Sequence, residues 1–288
     1  MFLKDYPLAN VTSLGVGGPA DFFIRPGSTL EIIAAQRFAL EKGYPLTVIG
    51  YGTNLLIRDG GIRGIVIQIA EPFAKARVKD NVLTATTGCL FSSLSKLALH
   101  HSLQGLEFAV GIPGGLGGAV FMNAGAYQGE IGPLIRKVEF VQDGTAGFWG
   151  KDEFSFSYRS SRLQKEQKKT IVTAVTLELE RGEHPKILEQ MLRLQQQRRS
   201  KQPLDYPSAG STFKRPPGYY VGPLLEEAGL KGLRVGGAEV SRKHAGFLIK
   251  VGEAKARDFL DLIAEIQSII LAKHGVHLEP EVRVLGED

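Results

Sequence analysis

Five glycines fall within eight residues in the segment Gly111-Ile112-Pro113-Gly114-Gly115-Leu116-Gly117-Gly118. Glycine loses more backbone freedom on folding than any other residue, so an ordered run of this kind needs a compensating gain. A flexible linker is a poor reading, because Ile112, Leu116, Val120, Phe121 and Met122 are interleaved with the glycines. Close approach of the backbone to a flat or phosphorylated ligand supplies the gain instead. Met122-Asn123-Ala124-Gly125-Ala126-Tyr127 continues the run with small residues and one amide.

A second turn, Gly50-Tyr51-Gly52-Thr53-Asn54, follows the apolar run Leu46-Thr47-Val48-Ile49, which reads as a strand. Successive N–H groups in such a turn can form an anion-binding concavity that suits a diphosphate, and a tight turn without a ligand is an equally open reading. The turn lacks the G-x-G-x-x-G pattern of a dinucleotide fold, and no G-x-x-x-x-G-K-[ST] occurs in the chain.

Around these turns the chain of 288 residues reads as mixed structure. Ser28 and Glu31 predict a capping box and Gly43 a stop for a helix over 28–43, with Ile32, Ile33, Ala35, Ala39 and Leu40 as its apolar face. Strands are expected at 46–49, 55–57, 64–69, 82–87, 137–142 and 171–179, and helices at 91–103 and 184–199. The last third reads as a small unit: a loop over 202–218, a helix over 221–229, strands at 233–240 and 246–251, and a helix over 255–273. In that last helix Phe259, Leu260, Leu262, Ile263, Ile266, Ile269 and Ile270 make a wide apolar face, and a strand over 281–285 closes the chain. The fold class is α+β.

Composition removes several classes of function. The single cysteine, Cys89, allows no intrachain disulfide, fits a reducing compartment and reads as a core residue. No apolar stretch reaches the ~20 residues of a membrane span, and the N-terminus shows no secretory pattern, so a cytoplasmic chain without membrane insertion is expected. The net charge of +5 is scattered except at Arg198-Arg199-Ser200-Lys201, which suits a small anion as well as nucleic acid; no nucleic-acid partner is expected.

Gly17-Gly18-Pro19-Ala20, the turn Gly50–Leu56 and the segment Gly111–Gly118 together resemble the FAD-binding domain of the vanillyl-alcohol-oxidase and p-cresol-methylhydroxylase type. Three later motifs narrow the resemblance: Phe156-Ser157-Tyr158-Arg159-Ser160-Ser161, Ser208-Ala209-Gly210-Ser211-Thr212-Phe213-Lys214-Arg215-Pro216 and Leu278-Glu279-Pro280-Glu281-Val282-Arg283. With Leu225–Gly232 and Lys243–Phe247 they resemble the UDP-N-acetylenolpyruvoylglucosamine reductases, the MurB family, from Leu8 to Gly286. The short connection from Arg159 to Thr170 resembles the subclass without a substrate-covering tyrosine insertion.

The resemblance implies a two-lobed FAD-binding domain, with lobes over 1–70 and 71–195, and a substrate domain over 196–288 that includes the returning terminal strand. It implies non-covalent FAD, NADPH as co-substrate, a UDP-sugar as substrate and no metal. The FAD would lie against Gly50, Tyr51, Gly52, Thr53, Asn54 and Leu55, and against Gly111, Ile112, Pro113, Gly114, Gly117, Gly118, Ala119, Asn123 and Ala124. Arg159 matches the cation that stabilises an enolate, Glu281 the second stabiliser and Ser211 the proton donor. Singly, each of these three is an ordinary surface or turn residue; the ordered set is what gives them roles.

Tyr127, Arg199, Lys201 and Lys214 are candidates for substrate binding, though Arg199 and Lys201 equally suit a solvated helix end. A structural hydrogen bond suits His244 at least as well as a site role, and Gly246 and Lys250 are given no ligand role. The chain is expected to act as a monomer. Two alternatives stay open: another FAD oxidase or dehydrogenase on the same scaffold, and a sugar-nucleotide binder without catalysis.

Overall fold

The computed structural model describes residues 2–165 and 169–288. Its chain divides into two compact units. The first holds Met1–Leu3, Phe23–Tyr51 and Gly64–Arg198, and the second holds Lys4–Phe22, Gly52–Arg63 and Arg199–Asp288.

In the first unit the helix Thr29–Lys42 starts where its caps predict. The Ser28 hydroxyl accepts the Glu31 N–H at 3.2 Å, and the Glu31 carboxylate accepts the Gly27 N–H at 2.8 Å. Gly43 ends the helix in the left-handed region at φ 67°. Its buried face is Ile32, Ala35, Gln36 and Ala39, while Leu40 is exposed. Gln36 belongs on that face because its amide accepts from Gly144 N at 2.7 Å and donates to the Lys169 carbonyl at 2.5 Å, which satisfies a buried polar group.

Strand Leu46–Ile49 pairs in parallel with residues 65–68. A five-stranded antiparallel sheet forms the body of the unit, in the order Thr145–Gly150, Ile135–Gln142, Thr170–Glu178, Val82–Thr86, Ala76–Lys79. Helix Phe91–His100 buries Phe91 and Leu94 in that unit's core, where Phe91 meets Phe108 edge-on at 5.8 Å. It stops earlier than the expected 103, since Ser102 turns the chain at φ 54° and Leu103–Gln104 pairs with Glu180–Arg181. Helix His184–Lys201 buries Ile187, Met191 and Leu194 but leaves Leu192 exposed.

The second unit is built on a four-stranded antiparallel sheet, in the order Ser208–Ser211, Phe247–Lys250, Ala238–Val240, Arg234–Val235. The strand expected over 233–240 is therefore a hairpin, turning at Gly236 with φ 53°. The loop expected over 202–218 contains a strand. Helix Ala256–His274 buries Phe259, Leu262, Ile263, Ile266 and Ile270, the i, i+3, i+4, i+7 face read from its sequence. Burying such a stripe contributes about 1.5–3 kcal/mol per large side chain. Phe213, Leu224, Leu225 and Val240 pack in the same core. The terminal strand Arg283–Leu285 pairs in parallel with Leu55–Ile57.

Among the described residues no helix is long and apolar enough to cross a membrane. None of them forms a group of three or more His, Cys, Asp or Glu that could hold a metal ion.

Candidate active site

Residues of the first unit build a tight arrangement around the glycine-rich segment. Residues 116–121 form a short helix that local propensity disfavours, and the preceding 87–91 segment explains it. The Thr87 carbonyl accepts Gly117 N at 3.2 Å, the Cys89 carbonyl accepts Leu116 N at 2.8 Å, and Phe91 N donates to the Gly114 carbonyl at 2.9 Å. The first helical N–H groups are thereby held by protein carbonyls. Gly117 packs on Thr87, while Gly111 lies under the Arg198 side chain, whose Cδ would stand 2.6 Å from a Cβ at 111. Ile112 and Ala124 pack on the core, Ala119 is buried and Pro113 is exposed.

Downstream, Asn123 is buried and sits at φ 44°. Its amide donates to Glu130 and to the Ser157 carbonyl, both at 3.1 Å, and accepts from Gly132 N at 3.0 Å. That side chain staples the hairpin Phe156–Ser161 to the end of the glycine-rich segment. Ser161 adds a bond to the Phe121 carbonyl at 2.8 Å. Arg159 occupies the tip of this hairpin, half-buried, at φ 53°. Its guanidinium donates to the Gly125 carbonyl at 3.0 Å and stands 5.2 Å from the Tyr158 ring centre.

Tyr127 sits at the tip of the neighbouring hairpin, Gly125–Ala126 against Gly129–Glu130, where Tyr127 and Gln128 both have positive φ, 51° and 69°. Left-handed backbone at non-glycine residues persists where packing over-determines it, and such positions cluster at functional sites.

Arg198 is a residue that sequence reading passed over in favour of its neighbour Arg199. Burial pushes its guanidinium down from the usual range, and the nearby Tyr127 phenol opposes that shift. The basic run 198–201 was the available signal, but not which of its side chains turns inward. Cys89, expected in the core, is buried, and burial pushes its thiol up, so the sulfur is held in its unreactive protonated form.

In the second unit, the residues that follow Ser211 pair through their backbone with the segment that holds Glu281. Glu281 N donates to the Thr212 carbonyl at 2.8 Å, Lys214 N donates to the Glu279 carbonyl at 2.8 Å, and Phe213 bridges Pro280. A bulge between Ser208 and Ser211 shifts the register of that strand, with Gly210 at φ 80°. Only glycine takes that conformation without strain, and Ser211, which follows it, is exposed. Thr212, next to it, is buried, and its hydroxyl accepts Leu248 N at 3.2 Å.

Asn54 reaches the same segment. Its amide donates to the Glu281 carbonyl at 3.0 Å, and its own carbonyl accepts Arg283 N at 3.0 Å. Gly52, at φ 66°, packs so tightly that a Cβ there would stand 2.1 Å from the Val11 carbonyl oxygen. Thr53 and Leu55 are half-buried between these anchors. The Lys214 ammonium pairs with Glu279 at 2.5 Å, and the Arg215 guanidinium covers the Tyr220 ring at 3.7 Å. Arg199 and Lys201 are exposed, and the Arg199 carbonyl accepts the Lys243 ammonium at 2.7 Å.

Set against known proteins, residues 202–285 match the family model for the C-terminal domain of UDP-N-acetylenolpyruvoylglucosamine reductase. Residues 20–145 match an FAD-binding domain. The chain is 45% identical over its whole length to the UDP-N-acetylenolpyruvoylglucosamine reductase of Alkaliphilus oremlandii, covering 94% of that protein. The chain belongs to the UDP-N-acetylenolpyruvoylglucosamine reductase family. The reductase of Caldanaerobacter subterraneus is 46% identical over 98% of this chain and 92% of its own length. The crystal structure of the Thermus caldophilus reductase superposes with a TM-score of 0.83 at 35% identity, covering 99% of this chain and 98% of that one. This family member is therefore an FAD-dependent oxidoreductase of α+β fold.

Its own residues fit FAD. At Gly118 a Cβ would touch no protein atom within 4 Å, and at Gly50 it would meet only the Ile69 carbonyl at 3.9 Å. In contrast with Gly52 and Gly117, these two glycines leave room on the outer side of the backbone for a flat group.

His244 makes a local hydrogen bond in the second unit. Its Nδ1 accepts Gly246 N at 3.1 Å, and its ring packs 5.0 Å from the Phe247 ring. Burial pushes its pKa below the ordinary 6.5; Lys231 and Lys201 push the same way and Glu226 opposes them. The unfolded chain then binds a proton more readily than the folded one, so stability falls as pH drops below about 6.5 towards the depressed value. His244→Gln should flatten the dependence of urea stability on pH in that window and leave it unchanged above it. Urea titrations at several pH values measure this, and an unaltered slope would assign the pH dependence to other groups.

Proposed function

We infer that this chain reduces the enolpyruvyl double bond of UDP-N-acetylglucosamine enolpyruvate to give UDP-N-acetylmuramate, with NADPH as electron donor, in the synthesis of peptidoglycan precursors. The observation that supports this reading is the backbone pairing of residues 212–214 with 279–282, which sets the strand end that follows Ser211 beside the segment that carries Glu281. An oxidase on the same scaffold needs no such proton donor. Non-covalent FAD, which the Gly50–Leu55 turn and the 111–124 segment would hold, would supply two-electron hydride transfer from NADPH to the terminal carbon of the enolpyruvyl group.

Hydride addition leaves negative charge on the neighbouring carbon, spread into the substrate carboxylate as an enolate. The Arg159 guanidinium stabilises that charge, and preorganised donors of this kind act most strongly where charge develops in the transition state. Glu281, protonated or sharing a proton, donates a second hydrogen bond to the carboxylate. The Ser211 hydroxyl gives its proton to the enolate carbon, forming the new C–H bond while the O–H bond breaks. The serine oxygen regains a proton from water.

Tyr127, Arg199, Lys201 and Lys214 bind the UDP-sugar, Arg199 and Lys201 through charge-assisted contacts to its diphosphate. In this reading residues 1–70 and 71–195 are the two lobes that hold FAD, and 196–288 is the substrate domain. The chain acts as a monomer in the cytoplasm.

The test is product identification. Purified protein should be yellow and release FAD on denaturation. With NADPH and the enolpyruvyl substrate it should consume one NADPH for each UDP-N-acetylmuramate detected by mass spectrometry. Oxygen consumption with peroxide release would identify an oxidase instead, and a colourless protein that FAD cannot reconstitute would leave only a sugar-nucleotide binder.

A further inference from the structure

Tyr51 stands inside the first glycine turn as a large aromatic residue among small ones, and the structure gives its ring and its hydroxyl separate jobs. The ring lies against Gly115: a Cβ at that glycine would stand 3.1 Å from two of the ring carbons. The hydroxyl donates to the Gly88 carbonyl at 2.8 Å.

The flanking carbonyls of Gly88 explain why that bond matters. Thr87 and Cys89 use theirs to hold Gly117 N and Leu116 N at the start of the short glycine-rich helix, at 3.2 and 2.8 Å. The carbonyl between them is the one Tyr51 takes. One phenol therefore ties the turn at Gly50 to the strand end that anchors residues 114–117.

The other side of the turn is fixed as well. The Gln68 amide, buried, donates to the Gly50 carbonyl at 3.1 Å and accepts from Arg25 Nε at 2.5 Å. Tyr51 thus extends from a held backbone to a held carbonyl, a rigid strut rather than a mobile side chain.

We propose that Tyr51 is a positioning residue that sets the spacing between Gly50 and the 114–118 segment, so that both stand ready for FAD before it binds. This rests on the reading of the chain as an FAD enzyme. Without the strut, the binding-competent arrangement occupies a smaller fraction of the population, and the apparent dissociation constant rises by the inverse of that fraction.

The experiment compares FAD binding to the apoprotein, followed by quenching of flavin fluorescence, in the wild type, Tyr51→Phe and Tyr51→Leu. Thermal melting of each apoprotein is measured in parallel. Tyr51→Phe keeps the ring and loses only the hydroxyl; its dissociation constant for FAD should rise about tenfold, the usual scale for one buried hydrogen bond. Tyr51→Leu should raise it further. A Tyr51→Phe apoprotein that melts lower but binds FAD as tightly as the wild type would make Tyr51 a packing residue and overturn the proposal. If Tyr51→Leu does not fold, the hydroxyl variant alone decides. Wild-type apoprotein that binds no FAD would overturn the cofactor reading itself, an outcome distinct from equal binding by wild type and variant.

Discussion

In Ser211→Ala, reduction of the bound flavin by NADPH should proceed at nearly the wild-type rate, while its reoxidation by the enolpyruvyl substrate should slow by about 10²–10⁴-fold. The first half-reaction involves no enolate and has no use for a proton from Ser211. In the second half water would have to supply the proton without being positioned for it. Substrate affinity should change little, because a proton donor acts in the transition state rather than the ground state. Stopped-flow absorbance of the flavin, run for each half separately, makes the measurement. Equal slowing of both halves would mean that the change disturbs the strand and its bulge at Gly210. Two unchanged halves would remove Ser211 from the mechanism.

Arg159→Gly should separate stability from activity. The left-handed backbone at this hairpin tip, φ 53°, costs a side-chain-bearing residue about 1–2 kcal/mol, which glycine avoids. Against that, the variant loses the bond to the Gly125 carbonyl, at about 0.5–1.5 kcal/mol, and gains freedom in the unfolded chain. The opposing effects should leave the unfolding free energy from urea titration within about 1 kcal/mol of wild type.

The substrate half-reaction should fall by about 10²–10³-fold, the scale seen when one preorganised donor to a developing oxyanion is removed. Such a result would show that the arginine stays at a strained position for the charge it presents. A variant that loses stability and both half-reactions together would point instead to a structural role for the hairpin.

Much of the framework was legible in the residues. Ser28, Glu31 and Gly43 marked both ends of the first helix, and the apolar spacing from Phe259 to Ile270 marked the buried face of the last one. These signals act over three or four residues, so they survive without knowledge of the rest of the chain. The set of motifs around Gly50, Gly111, Arg159, Ser211 and Glu281 was likewise readable, because its order along the chain carries the family resemblance.

What escaped the sequence was every feature made by distant partners. Residues 116–121 become helical because carbonyls at 87 and 89 capture their first N–H groups, against the poor helix propensity of glycine. Gln36 faces inward on an amphipathic helix because Gly144 and Lys169 meet its amide. The Asn54 amide is bonded to the Glu281 carbonyl, far away in sequence.

The sequence by itself determined the family and the short-range limits of the regular elements. Tertiary structure alone decided which backbone groups pair: the register of 212–214 on 279–282, the bulge between Ser208 and Ser211, and the return of 283–285 beside 55–57. Strand pairing and side-chain bonds to the main chain depend on which groups the packed core brings within hydrogen-bonding distance, and no local pattern of residues encodes that distance.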